Sequence, residues 1–257
     1  MRACALGLVA GAALTTSAFA SPVINGAVVN ERIFNDDPGS TLVSTNSYPG
    51  SIVISDTRTG GGGFANLHNW RASADGGATA TNFANGDSFS LFADFSLGGG
   101  GSGEGGLSLA PWWSQNVDGR FNLRTTDGEV ACFGGRLPFY SFTGSQGVTY
   151  TAGTTVRLGI IYNANGLSSA DPATIEYIYD DGSTVYTSGV LAFDEGNPAE
   201  PYGTWGMLDN AQIGGYMQVF NTSSNLTGTW GNIVYTPTPA SAALLGLGGL
   251  VATRRRR

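Results

Sequence analysis

Alternation of apolar and polar residues with a period of two constrains the fold of this chain more than any other feature. It occurs in four segments, SFSLFADFSL (88–97), TVRLGIIY (155–162), TIEYIY (174–179) and NIVY (232–235), and SIVIS (51–55) adds a short β-branched run. One face of each segment carries apolar side chains. They are Phe89, Leu91, Ala93 and Phe95 in the first segment, Val156, Leu158, Ile160 and Tyr162 in the second, Ile175, Tyr177 and Tyr179 in the third, and Ile233 and Tyr235 in the fourth. Because successive side chains of a strand point to opposite faces, the pattern predicts β-strands with one buried face.

Turn residues between these segments favour antiparallel pairing. Asp118-Gly119 and Asp127-Gly128 bracket RFNLRTT (120–126), and Asp181-Gly182 separates TIEYIYD from STVYT. Glycine accepts a positive φ and aspartate tolerates it, so Asp-Gly is typical of hairpin turns. We therefore predict an all-β fold, a two-sheet antiparallel β-sandwich of the jelly-roll type, for the body of the chain.

Two glycine tracts interrupt the predicted strands. TGGGGF (59–64) and LGGGGSGEGGL (97–107) resemble phosphate-binding loops only in composition, since neither is followed by a plausible helix. We predict that both are flexible loops, and that the second is a long hairpin connection between SFSLFADFSL and LSLAPWW.

The N-terminus carries the three parts of a secretory signal peptide. A short positive start is followed by an apolar stretch to about Thr15 and by Ala18-Phe19-Ala20, the small-x-small pattern that precedes cleavage. This predicts a signal helix over 1–20 and a cut between Ala20 and Ser21; an ordinary N-terminal helix is the alternative. The mature body then spans 21–236, and a separate C-terminal segment spans 237–257.

Charge distinguishes the body from both ends. The chain has 12 arginines, no lysine and 19 acidic residues; removing Arg2 and the four C-terminal arginines leaves seven arginines and a formal charge of −12. Such a body repels nucleic acid and anionic lipid and suits cations or neutral partners, sugars included. Cys132 is the one cysteine left after signal removal, so an intramolecular disulfide is excluded, and a buried, inert thiol is the favoured interpretation.

Catalytic motifs are absent from the sequence. His68 is the only histidine and no nucleophile elbow accompanies it, which favours a packing or hydrogen-bonding role. No cluster of histidines and cysteines fits zinc, and no carboxylate pair has the spacing of a sandwich-type glycosidase. Acidic loops leave structural calcium open, since calcium takes carboxylate and carbonyl oxygens. The candidate calcium ligands are Asp180, Asp181, Asp194 and Glu195.

Aromatic residues offer the best candidates for ligand binding. Trp112 and Trp113 are consecutive, so on a strand one would face outward, where a flat ring suits a sugar face. Further rings could add stacking surface or pack in the core: Trp70, Tyr140, Trp205, Tyr216 and Trp230. Core packing is the favoured interpretation for most of them.

The C-terminal segment, TPTPASAALLGLGGLVATRRRR, resembles the PEP-CTERM sorting signal. That signal consists of a short proline-containing motif, a transmembrane-like helix and a basic end. Here Pro237-Thr238-Pro239 corresponds to the motif and the apolar run to Ala252 to the helix. The basic end corresponds to Arg254, Arg255, Arg256 and Arg257. Thr238 stands where the family has glutamate. The resemblance implies recognition by an exosortase-like processing enzyme. A helix of 13 residues reaches roughly 20 Å, less than the hydrocarbon thickness of about 30 Å, so we expect transient inner-membrane insertion followed by cleavage near Pro237–Pro239.

The body more distantly resembles concanavalin-like and laminin-G-like jelly rolls. DSFSLFADFSL, the hairpin from YTAGTTVRLGIIYN to ATIEYIYDDG, and TWGNIVYT as a closing strand carry this resemblance. It implies a double-sheet fold that hosts enzymes and binding modules alike. The sequence predicts an exported, non-enzymatic protein of the cell envelope or extracellular matrix that binds polysaccharide; a polysaccharide-cleaving enzyme and a purely structural matrix component are the alternatives.

Overall fold

The computed structural model describes residues 21–34, 37–58, 66–111, 119–134, 137–194, 205–220 and 225–238. This part of the chain forms strands and one short helix. The elements are β1 (Gly26–Phe34), β2 (Thr41–Ser47), β3 (Ser51–Thr57), β4 (Leu67–Ser73), β5 (Phe89–Gly98), β6 (Gly103–Pro111), β7 (Arg120–Arg124), β8 (Val130–Phe133), β9 (Tyr140–Ser141), α1 (Phe142–Gln146), β10 (Thr155–Asn163), β11 (Thr174–Asp180), β12 (Val185–Thr187), β13 (Leu191–Ala192), β14 (Ala211–Val219) and β15 (Asn225–Pro237).

The strands form two antiparallel sheets. Sheet A has the order β1-β4-β14-β6-β7-β8-β9, and sheet B has the order β12-β11-β10-β5-β15-β3-β2, with β13 also paired to β11. The predicted all-β, two-sheet antiparallel sandwich is therefore confirmed. Neither predicted terminal helix can be compared, because residues 1–20 and 239–257 lie outside the described residues. Within the described residues, no helix is long and apolar enough to cross a membrane.

The core lies between the sheets and is rich in aromatic rings. Trp70 of sheet A meets Trp230 of sheet B edge to face, with centroids 6.3 Å apart, and Phe95 packs on Trp230 at 5.1 Å. Phe121 stacks on Phe142 of α1 at 5.6 Å. The apolar faces predicted for β5, β10 and β11 all point into this core, which confirms the period-two analysis.

In β15 a bulge changes which residues face inward. Its pairing with β5 shifts between Gly231 and Val234, and Asn232 takes a positive φ of 45°. Consequently Trp230 and Ile233, three residues apart, are both buried. A strict alternation would place them on opposite faces.

The second glycine tract is not the hairpin loop that the sequence predicts. Its first part, 99–102, connects β5 of sheet B to β6 of sheet A, so it crosses between the sheets. Its second part is inside β6, where Gly103, Gly105 and Gly106 pair with β14. The prediction failed because these glycines are selected by close contacts with neighbouring strands, which local composition does not reveal.

Candidate functional site

The face of sheet A that points away from sheet B carries a continuous set of polar side chains. Six of them are buried: Asn69, Arg71, Glu104, Ser108, Asn122 and Tyr216. Core residues such as Trp70, Leu107 and Phe121 point inward from its strands, so their sequence neighbours point outward. We call the outward set the polar face. It comprises Asn30, Asn69, Arg71, Glu104, Ser108, Arg120, Asn122, Arg124, Gln212, Tyr216 and Gln218.

One row of the polar face is built across Gly106. The register aligns Asn69, Tyr216, Gly106 and Asn122 on four adjacent strands. Because Gly106 has no side chain, the Tyr216 hydroxyl reaches over it and donates to Oδ1 of Asn122 at 2.8 Å. At the other end of the row, Asn30 donates to Oδ1 of Asn69 at 2.9 Å.

A second, parallel row repeats this arrangement across Gly214. Arg71, Gly214 and Ser108 are register partners on β4, β14 and β6. The Arg71 guanidinium reaches over the glycine and donates to Oγ of Ser108 at 2.6 Å. In each row, a glycine on the middle strand lets a long side chain lie flat along the sheet.

Charged groups border the two rows. Arg120 is bonded to the Glu104 carboxylate and lies over the Tyr216 ring, with its guanidinium carbon 4.8 Å from the ring centroid. Arg124 is bonded to Glu129 just before β8. The polar face thus gathers Arg71, Arg120 and Arg124, three of the seven arginines of an otherwise acidic body.

Burial changes the ionisation of this face. It lowers the pKa of Arg71 to about 10, which leaves the guanidinium charged at neutral pH. Burial, reinforced by the negative charge of Glu104, raises the pKa of Tyr216 well above its usual value, so the phenol remains protonated and able to donate. The pKa of Glu104 is raised by burial, while the charges of Arg120 and Arg124 oppose the rise.

Asn122 has unused hydrogen-bonding capacity. It is fully buried and its Oδ1 accepts from Tyr216, but its Nδ2 has no acceptor among the described residues. A buried donor without an acceptor is costly, and such groups often mark the place where a ligand or water binds. Amide, phenol and guanidinium groups together are suited to hydroxyl and carboxylate oxygens.

The structure places the sequence-predicted site residues elsewhere or outside its described part. Trp112, Trp113, Glu195, Pro239 and Arg254–Arg257 lie outside the described residues, as does Ala20. Asp180 and Asp181 cap the β11–β12 turn: Oδ1 of Asp180 accepts from the amide of Gly182, and Oδ1 of Asp181 accepts from the amides of Ser183 and Thr184. Asp194 is exposed after β13. The described residues contain no group of three or more metal-ligating side chains, and calcium binding stays a prediction.

His68 has the hydrogen-bonding role that the sequence favours, on the inner side of sheet A. Its Nδ1 accepts the backbone N–H of Arg32 at 2.9 Å, which places the proton on Nε2, and Nε2 donates to Asp56 of sheet B at 2.8 Å. Both nitrogens are occupied and the ring is fully buried. Cys132 is also buried, as predicted, and burial raises its thiol pKa.

Sequence reasoning missed most of the polar face. It named Tyr216 only as a stacking or core ring, and it did not name Arg71 or Asn122. A signal was available in RFNLR, where Arg120, Asn122 and Arg124 occupy alternate positions and so share one face of a strand. Three polar residues on one face, opposite Phe121 and Leu123, indicate a polar outer surface but not its partners on other strands.

Comparison with known proteins finds similarity at the level of fold. No family model matches the chain, and no curated protein matches it. A family 7 alginate lyase, A1-II′, in complex with product superposes with a TM-score of 0.43 at 11% identity, covering 76% of this chain and 83% of that one. Lectin II from Ulex europaeus gives 0.43 at 10% identity, covering 84% and 100%, and the seed lectin of Lotus tetragonolobus gives 0.40 at 11%, covering 82% and 99%. At such identities and scores the likeness assigns no function.

Proposed function

We propose that this protein is an exported, non-enzymatic β-sandwich that binds polysaccharide at the polar face of sheet A. The observation that carries the proposal is the pair of side-chain rows laid across Gly106 and Gly214, which holds Asn122 with a free amide N–H among the described residues. Hydrogen-bonding groups fixed in place by their neighbours suit the many hydroxyl groups of a glycan. The arginines of the face extend this chemistry to acidic sugars.

Binding is tested with purified protein and a panel of neutral and acidic polysaccharides in isothermal titration calorimetry. Tyr216→Phe removes the hydroxyl that orients Asn122, and Asn122→Ala removes the amide itself. We expect each variant to weaken binding by roughly 5-fold or more, the value of about one hydrogen bond. Tyr186→Phe on β12 of sheet B is the matched control and should bind like the wild type. Equal affinity in all three variants would contradict the proposal.

Polysaccharide cleavage is the second candidate function. Glu104 and Tyr216 are buried ionisable groups with raised pKa values next to Arg120, a combination found at acid–base sites. Against it, hydrolysis needs two available carboxyl groups, and both Glu104 and Glu129 are bonded to arginines. A fall in polysaccharide chain length during incubation, abolished by Tyr216→Phe, would favour the enzyme. A structural matrix component would neither bind nor cleave.

For localisation, we propose export by the N-terminal signal, transient retention by the C-terminal segment, and release into the envelope or matrix. Support comes from the sequence: the signal-like start, the short apolar run and the four terminal arginines. Intact-mass measurement of the envelope-bound protein in its native host tests this. The expected mass lacks Arg254–Arg257 and the first 20 residues, whereas a mass that includes the arginines indicates a plain anchor.

A further inference from the structure

Among the described strands, those at the four edges of the two sheets differ in how they are protected against pairing with another chain. In sheet A, β1 carries a register shift between Asn30 and Phe34 together with the charges of Glu31 and Arg32, and β9 has only two residues. In sheet B, β12 has three residues. Bulges, charges and short length are the usual devices that prevent sheet edges from associating.

The strand at the fourth edge, β2, has none of these devices. It pairs with β3 over all seven residues, from Thr41 to Ser47, without a register shift. Its sequence, TLVSTNS, contains no charged residue and no proline, and half of it or more is β-branched or apolar. Val43 is 59% exposed on its outer side. This is a regularly paired strand without charged residues, of the kind that accepts another strand.

We propose that β2 pairs antiparallel with β2 of a second copy of this chain, so that the two B sheets become one continuous sheet. An isologous two-fold contact needs a self-complementary surface, and a strand edge without charge provides one. The formal charge of −12 makes most other contacts between two bodies repulsive, which singles out an uncharged edge as the place where copies can meet.

A two-fold axis at Ser44 places Val43 of one copy opposite Thr45 of the other on the exposed side. Such β-branched cross-strand pairs stabilise antiparallel strands. On the inner side, Ser44 donates to Glu31 at 2.6 Å, so each copy brings one carboxylate close to the axis. We therefore expect a dimer that strengthens with added salt. Because β2 belongs to sheet B, this pairing does not involve the polar faces of sheet A.

Disulfide trapping in the full chain, exported by its host, tests the pairing. Cys132 is buried, so an introduced surface cysteine is the reporter. Val43→Cys and Thr45→Cys proteins are oxidised separately and as an equal mixture, then run on non-reducing gels. We expect several-fold more cross-linked dimer than with Val185→Cys, which is 63% exposed on β12. Cross-linking strongest in the mixture specifies the axis at Ser44; cross-linking no greater than that of the control overturns the proposal.

Light scattering of protein without an introduced cysteine provides a second readout of the dimer, independent of polysaccharide binding. The wild-type mass should double as protein concentration rises, while Thr45→Lys, which adds an edge charge, should keep the monomer mass with an unchanged circular dichroism spectrum. A wild-type mass that stays monomeric at every concentration and salt level, as expected if β2 serves another protein, overturns the proposal.

Discussion

At the scale of single residues, a buried ionic cluster joins the two sheets. Asp56 lies fully buried between them and is bonded to His68 and Asn66 from sheet A and the loop before it. Asn66 in turn accepts the backbone N–H of Asp37, whose carboxylate lies 3.6 Å from Nε of Arg58. Buried charges persist only when their neighbours supply such bonds, so the cluster fixes how the sheets meet at this end.

The first prediction concerns Asp56. Burial alone would raise its pKa, but hydrogen bonds from His68 and Asn66 outweigh that effect and lower the pKa below the usual 3.8. A lowered carboxyl pKa means stability that is present above pH 3.8 and lost as the pH falls further towards the folded-state pKa. We expect Asp56→Asn to lower the free energy of unfolding by about 2–4 kcal/mol at pH 7.

Denaturant titrations of wild type and Asp56→Asn at a series of pH values measure this difference. It should shrink as the pH falls below 3.8, because the unfolded wild type then binds a proton at Asp56 that the folded protein binds only at a lower pH. Asp181→Asn, in the exposed β11–β12 turn, is the control and should change stability far less. A difference that is constant from pH 7 to pH 3 contradicts the assignment of the effect to the Asp56 charge.

At the scale of elements, β6 and β14 need glycine at positions where the backbone of a paired strand comes very close. A Cβ on Gly106 would lie 1.9 Å from the carbonyl oxygen of Phe121, and one on Gly214 would lie 1.9 Å from that of Trp70. These are backbone atoms of paired strands, so relief requires the strands to separate.

The second prediction is that Gly106→Ala destabilises the fold and disorders the polar face. We expect a loss of about 3 kcal/mol in the free energy of unfolding, because the methyl group cannot be accommodated without displacing β7. Gly86→Ala is the matched control, since a Cβ there has nothing within 4 Å. Thermal unfolding of both variants tests this prediction. Equal melting temperatures would show that β7 accommodates the methyl group with little loss of stability.

At the scale of the whole molecule, charge is distributed unevenly. A body of formal charge −12 gathers three of its seven arginines on one face of one sheet. An acidic polysaccharide is repelled by the molecule as a whole, and on the polar face Glu104 and Glu129 offset the charges of Arg120 and Arg124. Binding of such a ligand is therefore governed by short-range contacts, which salt screens less than the long-range repulsion.

The third prediction follows from this balance. Raising the salt concentration from about 20 to 150 mM, where the screening length falls below 10 Å, should speed association with an acidic polysaccharide. Arg71→Gln should slow or weaken binding of the acidic ligand and leave a neutral one less affected. Surface plasmon resonance at several salt concentrations measures both. Association that slows steadily with salt, as for a globally attractive surface, would contradict this account.

The fourth prediction concerns the ends of the body. Thr238 N–H and Ser21 Oγ both donate to the carbonyl oxygen of Ser88 at 2.9 Å, and Tyr235 donates to Pro22. A chain of residues 1–238 keeps the predicted export signal and every described contact at this junction, so its mature form should fold and be released into the medium. Ending the chain at Trp230 removes the part of β15 that pairs with the start of β5 and should leave an unfolded product. Secretion yield and circular dichroism compare the two.

The sequence by itself determined the fold class of this protein, because the alternation in β5, β10 and β11 and the Asp-Gly turns are local properties of strands and hairpins. It also predicted the hydrogen-bonding role of His68 and the burial of Cys132. Only the tertiary structure decided the candidate site. Tyr216, Gly106 and Asn122 are far apart in the chain and meet through strand register, which alternation does not specify. The loop prediction for the glycine tract at 97–107 failed for the same reason. Its glycines are required by close contacts with neighbouring strands that are distant in sequence, and a local sequence pattern does not show such contacts.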